Sequence, residues 1–372
     1  MGEQKEKIKK KALYKELKPW QKKRLFIHAT IIAIVAVTFL SVTLSTLVSD
    51  RGGEDTYWND SLTMDEKTKK HVEEISTNAT VVTAGTYIDY VKELNIKSSN
   101  YRLEFLVWFN WESDTIKDMS NHFRVYKGTM NKKEIVKELH QGSSHYQLVR
   151  CDVTVAKSFW TRRFPLESHQ LRMYLESTIP ADQVVFKADK ENSGINGSLT
   201  ISGYELVRTD VADYAYFYDQ SHGDPEHVGS VTTPELVTAI EINREGFGVY
   251  IKCFIALFGT TTWVLITLFL STYHRVDPLS MIPASLFGTV SNIMVGANLL
   301  PDALQLGLLE YVNVWGVLTI IAVAVSIINI NRIRNKHEDM LFANLYGSVM
   351  FKLILTLVII GHVLYPLCSY MN

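Results

Sequence analysis

Cysteine is scarce in this chain. Three residues in 372, Cys151, Cys253 and Cys368, show no spacing of a disulfide framework or a metal site. Each reads as a small buried apolar residue. A Gly-rich phosphate loop, a Ser or Cys nucleophile motif and a His/Cys cluster at ligand spacing are all missing. No cofactor is therefore expected, and the chain is not expected to be an enzyme. Net charge is close to absent at −1, but the charge is segregated: residues 1–24 hold ten Lys and Arg against three Glu. An apolar run follows this head at once. Basic charge beside such a run marks the cytoplasmic side of a membrane span rather than a nucleic-acid site.

Long hydrophobic runs are what the chain has instead. Crossing about 30 Å of hydrocarbon takes roughly 20 residues, and five segments qualify, at about 25–48, 249–271, 279–298, 306–330 and 347–370. No Lys or Arg occurs from 276 to 331, and that run divides at Asn298-Leu299-Leu300-Pro301-Asp302. Placing the basic head inside puts 50–245 outside, Tyr273-His274-Arg275 and Arg332–Lys336 inside, and Asn372 outside. All the loops agree with this inner-membrane topology. The first run exceeds the 7–15 residues of a signal peptide, so a retained anchor is preferred over a cleaved leader.

The expected organisation is a basic head at 1–24, an anchor helix at 25–48, a charged linker at 49–78, a β domain at 79–245 and a four-helix membrane domain at 246–372. In the β region, Tyr101, Leu103, Phe105, Val107, Phe109 and Trp111 alternate with a mostly polar set, the mark of a strand with one buried face. Leu171, Met173 and Leu175 repeat the pattern, as do Leu236, Thr238, Ile240 and Ile242. A short helix is expected near 131–139 within an otherwise all-β sandwich of immunoglobulin-like type. Tyr214, Tyr216 and Tyr218 share one strand face and form a candidate ligand-binding cluster, able to hold an ammonium group by cation–π attraction. Packing at the sandwich rim is the competing explanation. His222 and His227 flank an acidic loop, read as solvated; seven of eleven histidines lie in 50–245, which leaves pH sensing open.

Four motifs carry a family resemblance. They are the two strands from Gly85-Thr86-Tyr87 to Trp108-Phe109-Asn110-Trp111; the loop Phe164-Pro165-Leu166-Glu167-Ser168-His169-Gln170; Glu241-Ile242-Asn243-Arg244 ahead of a membrane helix; and Asn292–Pro301 at the end of another. In this order they resemble the pentameric ligand-gated ion channels, specifically bacterial members without the disulfide loop, over about 80–372. The anchor has no counterpart in the simplest members. The resemblance implies a homopentamer in a lipid bilayer, with ions as permeants and a small-molecule agonist or protons as the trigger.

It further implies a pore lined from the helix at about 278–298. The motif match turns Leu279, Pro283, Leu286, Val290 and Ile293 to the axis, an apolar pore that gates by dewetting. Polarity alone turns Ser285, Thr289, Asn292 and Gly296 inward instead; the motif match is preferred, because small polar residues also suit helix–helix packing. The family's proline in its first channel helix is missing, and Pro283 is expected to kink the pore helix. Arg275 and Asp277 mark the inner mouth, where Asp277 favours cations and Arg275 opposes it. Glu167, Arg244, Pro301 and Asp302 are expected to couple the outer domain to the pore. The alternative is a non-conducting membrane receptor with the same fold.

Overall fold

A computed structural model describes residues 16–221, 223, 229–300 and 306–370, apart from the side chains of 295–297. His222, Asp224, Glu226, His227, Pro301 and Asp302 lie outside the described residues. The chain divides into two compact units. One comprises the described residues up to Arg51 together with 161–166 and 246–370, and is helical. The other comprises 52–160 and 167–245, and holds the β-sheets.

Among the described residues ten strands form two sheets. The first holds β1 (Thr80–Asn95), β2 (Asn100–Glu112), β4 (Gly128–Gln141), β5 (Ser144–Ala156), β7 (Val184–Ala188) and β8 (Gly194–Ile195), in the order β4-β5-β2-β1-β7 with β8 beside β1. The second holds β3 (Phe123–Val125), β6 (Ser168–Ser177), β9 (Tyr204–Tyr218) and β10 (Val231–Arg244), in the order β3-β6-β10-β9. The alternation in β2 works as expected: Tyr101, Leu103, Phe105, Val107, Phe109 and Trp111 are each at most 2% exposed. They share one apolar core with Leu171, Met173 and Leu175 of β6 and with Leu236, Ile240 and Ile242 of β10. Burying so many large side chains on one face of each sheet is what holds the pair together, at roughly 1.5–3 kcal/mol per large apolar residue.

One local expectation fails. Residues 131–139 are strand, inside β4, not helix. Their Lys, Glu and Leu favour a helix locally, but antiparallel pairing with β5 overrides this, with register shifts between Met130 and Lys132 and between Ile135 and Lys137. The charged segment 49–78 is largely helical. Helix α1 (Pro19–Asp60) runs through Gly52 and Gly53, because Glu54 and Trp58 beyond them are buried. Helix α2 (Glu66–Ile75) follows, its Asp65 side chain accepting from the Lys67 and Thr68 backbone N–H groups at 3.0 and 2.9 Å.

The helical unit contains α1 up to Arg51 and four further helices: α3 (Gly248–Tyr273), α4 (Ile282–Leu299), α5 (Leu308–His337) and α6 (Met340–Tyr370). Among the described residues four helices, α1, α3, α5 and α6, are long and apolar enough to cross a membrane. The remaining expected span, about 279–298, is the shorter α4, preceded by the 3-10 turn Leu279–Met281. Helices α3, α5 and α6 bury Val264, Leu268, Ile327, Ile330, Tyr346 and Met350 in one core. Helix α1 runs along α5 and α6. Its Gln21 donates to Asp339 at 2.6 Å, its Arg24 donates to Asn329 at 2.6 Å, and Thr43 pairs with Tyr365 at 3.0 Å. Phe39 stacks on Trp315 with 5° between the ring planes. These contacts make the amino-terminal helix an integral part of the unit.

Candidate functional site

Glu167 ends the Phe-Pro loop and is 1% exposed. Arg244, the last residue of β10, donates from Nη2 to Glu167 Oε1 at 2.7 Å, and the Tyr204 hydroxyl donates to the same oxygen at 2.8 Å. The two residues also join through the main chain, Arg244 N to Glu167 O at 3.2 Å. His169 Nε2 stands 3.6 Å from Oε1, and the Arg244 guanidinium lies 4.1 Å from the Tyr204 ring centroid. Burial alone would push the Glu167 carboxyl up; the His169 ring and the Arg244 guanidinium outweigh it and hold the carboxyl at about 2. His169 itself is held below its ordinary value by burial, so Arg244 supplies the standing positive charge. Glu167 and Arg244 were legible from the loop and strand-end motifs. Tyr204 and His169 were not singled out; two aromatic side chains in a strand carry no mark that they will face a carboxylate.

The loop tip Thr161–Leu166, with a cis Phe164–Pro165 bond, packs with the helices. Arg163 is 1% exposed and donates from Nη1 to the Ser369 carbonyl at 3.2 Å. Arg162 Nη1 lies 3.0 Å from Asp50 Oδ1, just beyond the apolar part of α1. The Arg162 carbonyl accepts from the Leu308 backbone N–H at 2.7 Å. A Cβ on Gly307 would collide with that carbonyl, so this approach requires glycine. The two arginines thus tie the loop tip to the ends of α1, α5 and α6.

Helix α4 presents two faces. Ser285, Thr289 and Asn292 are 2%, 1% and 2% exposed. Asn292 Nδ2 donates to Asn313 Oδ1 on α5 at 2.8 Å, and Asn313 donates on to the Leu309 carbonyl at 2.9 Å. Gly288 sits where a Cβ would strike Thr260 of α3, so α3 and α4 approach backbone to side chain there. The opposite face leaves Leu279, Leu286, Val290 and Ile293 between 38% and 54% exposed, with Phe287 and Met294 beside them. Pro283 is also on this exposed side. It occupies the second residue of α4, where a backbone N–H has no intrahelical partner in any case. The proline therefore falls in the first turn of α4, directly after the 3-10 turn, and not in the helix interior where a kink or a freed carbonyl would be expected.

Arg275 and Asp277 are both exposed in the segment between α3 and α4. Arg275 takes a left-handed backbone conformation (φ 60°), and Asp277 Oδ1 accepts from the Leu279 backbone N–H at 3.2 Å, capping the turn.

Of Tyr214, Tyr216 and Tyr218 on β9, the last two pack ring on ring with centroids 4.6 Å apart, but their polar ends differ in partners. Tyr218 donates to Glu176 Oε1 at 2.7 Å, a carboxylate that also takes Arg124 at 2.7 and 3.1 Å. Tyr214 and Tyr216 instead line a cavity of about 400 Å³ against the chain that follows α1. Sequence reasoning passed over its charged residues. Arg172 and Tyr174 enter from β6, Glu235 from β10, Lys157 from beyond β5 and Tyr57 from α1. Arg172 is 5% exposed. Among the described residues no cluster of three or more His, Cys, Asp or Glu side chains could hold a metal ion. A scan against protein-family models finds no match to the chain, and a search of curated proteins finds none either.

Proposed function

We propose that the chain is a subunit of a homopentameric ligand- or proton-gated ion channel, resembling the pentameric ligand-gated family. In this reading the two sheets form an immunoglobulin-like β-sandwich outside the membrane and α3–α6 form a four-helix bundle. Helix α1 is a retained anchor with its basic head inside. The observation that carries the reading is the orientation of α4. Its small polar residues turn toward α3 and α5, through the Asn292–Asn313 bond and the Gly288 contact. Leu286, Val290 and Ile293 are left facing away from the chain's own helices. This is the register that the motif match favours. Such an apolar stripe suits a gate that opens by wetting and closes by dewetting.

Signal transfer would run through the Glu167–Arg244 pair and through Arg162 and Arg163 of the same loop. Asp277 at the inner mouth favours cations, with Arg275 exposed beside it.

Two measurements test the proposal. The mass of the detergent-solubilised particle should correspond to five copies of a 42.4 kDa chain. Protein reconstituted in a planar bilayer should give unitary currents, and Leu286→Ser should alter their open probability. A monomeric particle refutes the ring. Silence across pH and ligands, from an intact five-copy ring, would favour the non-conducting receptor.

A further inference from the structure

We infer that the cavity under the tail of α1 binds a small organic monocarboxylate with a flat apolar body, anchored on Arg172. The anchor is built and incompletely used. Arg172 Nη2 donates to the Trp58 carbonyl at 3.2 Å and to Gln170 Oε1 at 3.0 Å. Its Nε and Nη1 are buried without a hydrogen-bond partner. Leaving donors of a charged group dry and unmatched is costly. Two rings flank the side chain, the guanidinium lying 4.7 Å from the Trp58 ring centroid and 5.4 Å from that of Tyr57, and Glu241 adds a charge attraction without a hydrogen bond to the open donors. A planar fork with open donors is the natural partner of a carboxylate.

The surroundings select the same charge. Lys127 and Lys157 line the cavity beside Arg172. Lys157 is brought down to about 8 by burial and by repulsion from Arg172, which leaves it mostly charged at neutral pH. Glu235 is the only acidic residue in the lining. Burial, and then the neighbouring Glu176, push its carboxyl up to about 8, so at neutral pH it is mostly the neutral acid and can donate a hydrogen bond. The wall therefore presents cations and almost no anion. An ammonium ligand, suggested by the tyrosines alone, would meet repulsion here that ring faces do not offset. Tyr57, Tyr174, Tyr214 and Tyr216 supply flat walls for an aromatic or apolar body. About 400 Å³ lies in the range of small-molecule pockets.

The inference deepens the ligand-gated reading and rests on it for its consequence, gating; binding itself is measured separately. Benzoate is titrated into the full-length protein in detergent by calorimetry, beside its neutral and cationic counterparts benzamide and benzylamine and beside inorganic phosphate. Benzoate should bind saturably, and the other three should bind at least about tenfold more weakly. Arg172→Met and Lys157→Gln should each weaken benzoate about tenfold, as expected for losing a charged hydrogen-bond donor. Glu235→Gln should bind benzoate within about threefold of the parent, keeping a neutral donor in place. Should Arg172→Met fail to fold, Lys157→Gln alone decides. Three results overturn the assignment: no saturable benzoate heat at millimolar concentration, equal binding of benzylamine or benzamide, or benzoate binding unchanged in the variants that fold. Carboxylate binding by a particle that passes no current would refute the channel and leave the site standing. Currents without carboxylate binding would do the reverse.

Discussion

Arg244→Gln is the sharpest perturbation of the pair that closes the sheet unit. It removes the guanidinium at 2.7 Å from Glu167 Oε1 and leaves a carboxylate that is 1% exposed, facing the Tyr204 hydroxyl and a His169 ring held mostly neutral by burial. Breaking a buried ion pair by deleting one partner costs about 3–5 kcal/mol. A carboxyl held at about 2 instead of its ordinary 4.5 carries about 3 kcal/mol of stability at pH 7, to which His169 and Arg244 both contribute. The sign follows from the depressed value. That stability is fully present above pH 4.5 and is lost as pH falls through about 2. The variant should therefore trail the parent most at neutral pH, and the gap should narrow in acid. At about 2–4 °C per kcal/mol for a unit of roughly 150–250 residues, a cost of about 3–5 kcal/mol makes the neutral-pH gap about 6–20 °C in Tm. Thermal melts of both proteins in detergent at pH 7.5 and pH 3 measure it. Arg244→Gln combined with Glu167→Gln, which replaces the stranded charge by an amide, should recover most of the loss. A single variant melting within about 1 °C of the parent at pH 7.5, or a double variant no better than the single, would refute the reasoning.

Glu235→Gln has the opposite sign. The parent carboxyl is raised from 4.5 to about 8, so the parent's stability is fully present below pH 4.5 and is lost as pH rises through about 8. The Gln variant should melt with the parent at pH 4.5 and above it at pH 9, by up to about 4 kcal/mol; a pH-independent difference would contradict this. Gly288→Ala places a methyl group onto Thr260 and should destabilise by about 1–3 kcal/mol through overpacking of α3 on α4. Thr260→Ala in the same chain should restore the melt. No rescue would mean that the helices do not meet there.

The sequence pattern disclosed the elements wherever one period governed burial. Strand β2 is the clean case, since its six alternating apolar residues face a single core. The long apolar helices are legible for a related reason: hydrocarbon demands an unbroken run. Periodicity misled where a second constraint acted. At 131–139, Lys132, Lys133, Glu134, Lys137 and Glu138 spell a helix locally, while β5 dictates an extended edge strand. For Pro283 the sequence leaves the helix start open, and the start at Ile282 follows the turn that Asp277 caps. The α4 register was open between two faces on sequence alone, because Ser285, Thr289 and Asn292 could serve water or a neighbouring helix equally well. The Asn313 partner, 21 residues away, and the approach of Gly288 to Thr260 turn that face toward α5 and α3.

The cavity was illegible for a deeper reason. In β6 and β10, alternation places Arg172, Glu176, Glu235 and Glu241 on the face opposite the apolar core, and an antiparallel sheet with that pattern reads as solvated on its polar side. All four are instead buried, at 5%, 0%, 3% and 6% exposed. Part of the cover is the tail of α1. Glu54 accepts from Gln170 through its carbonyl at 2.7 Å, Trp58 accepts from Arg172, and Arg208 lies 4.2 Å from the Trp58 ring centroid. A polar sheet face under a helix must satisfy its charges locally. It does so with Arg124 on Glu176 and Arg208 on Glu241. Arg172 and Glu235 are left without such a mate: one guanidinium with open donors, one carboxyl held neutral by burial. Those two mismatches border the same space. An uncompensated cation beside a neutral acid is a poor way to stabilise a sheet but a good way to receive an anion.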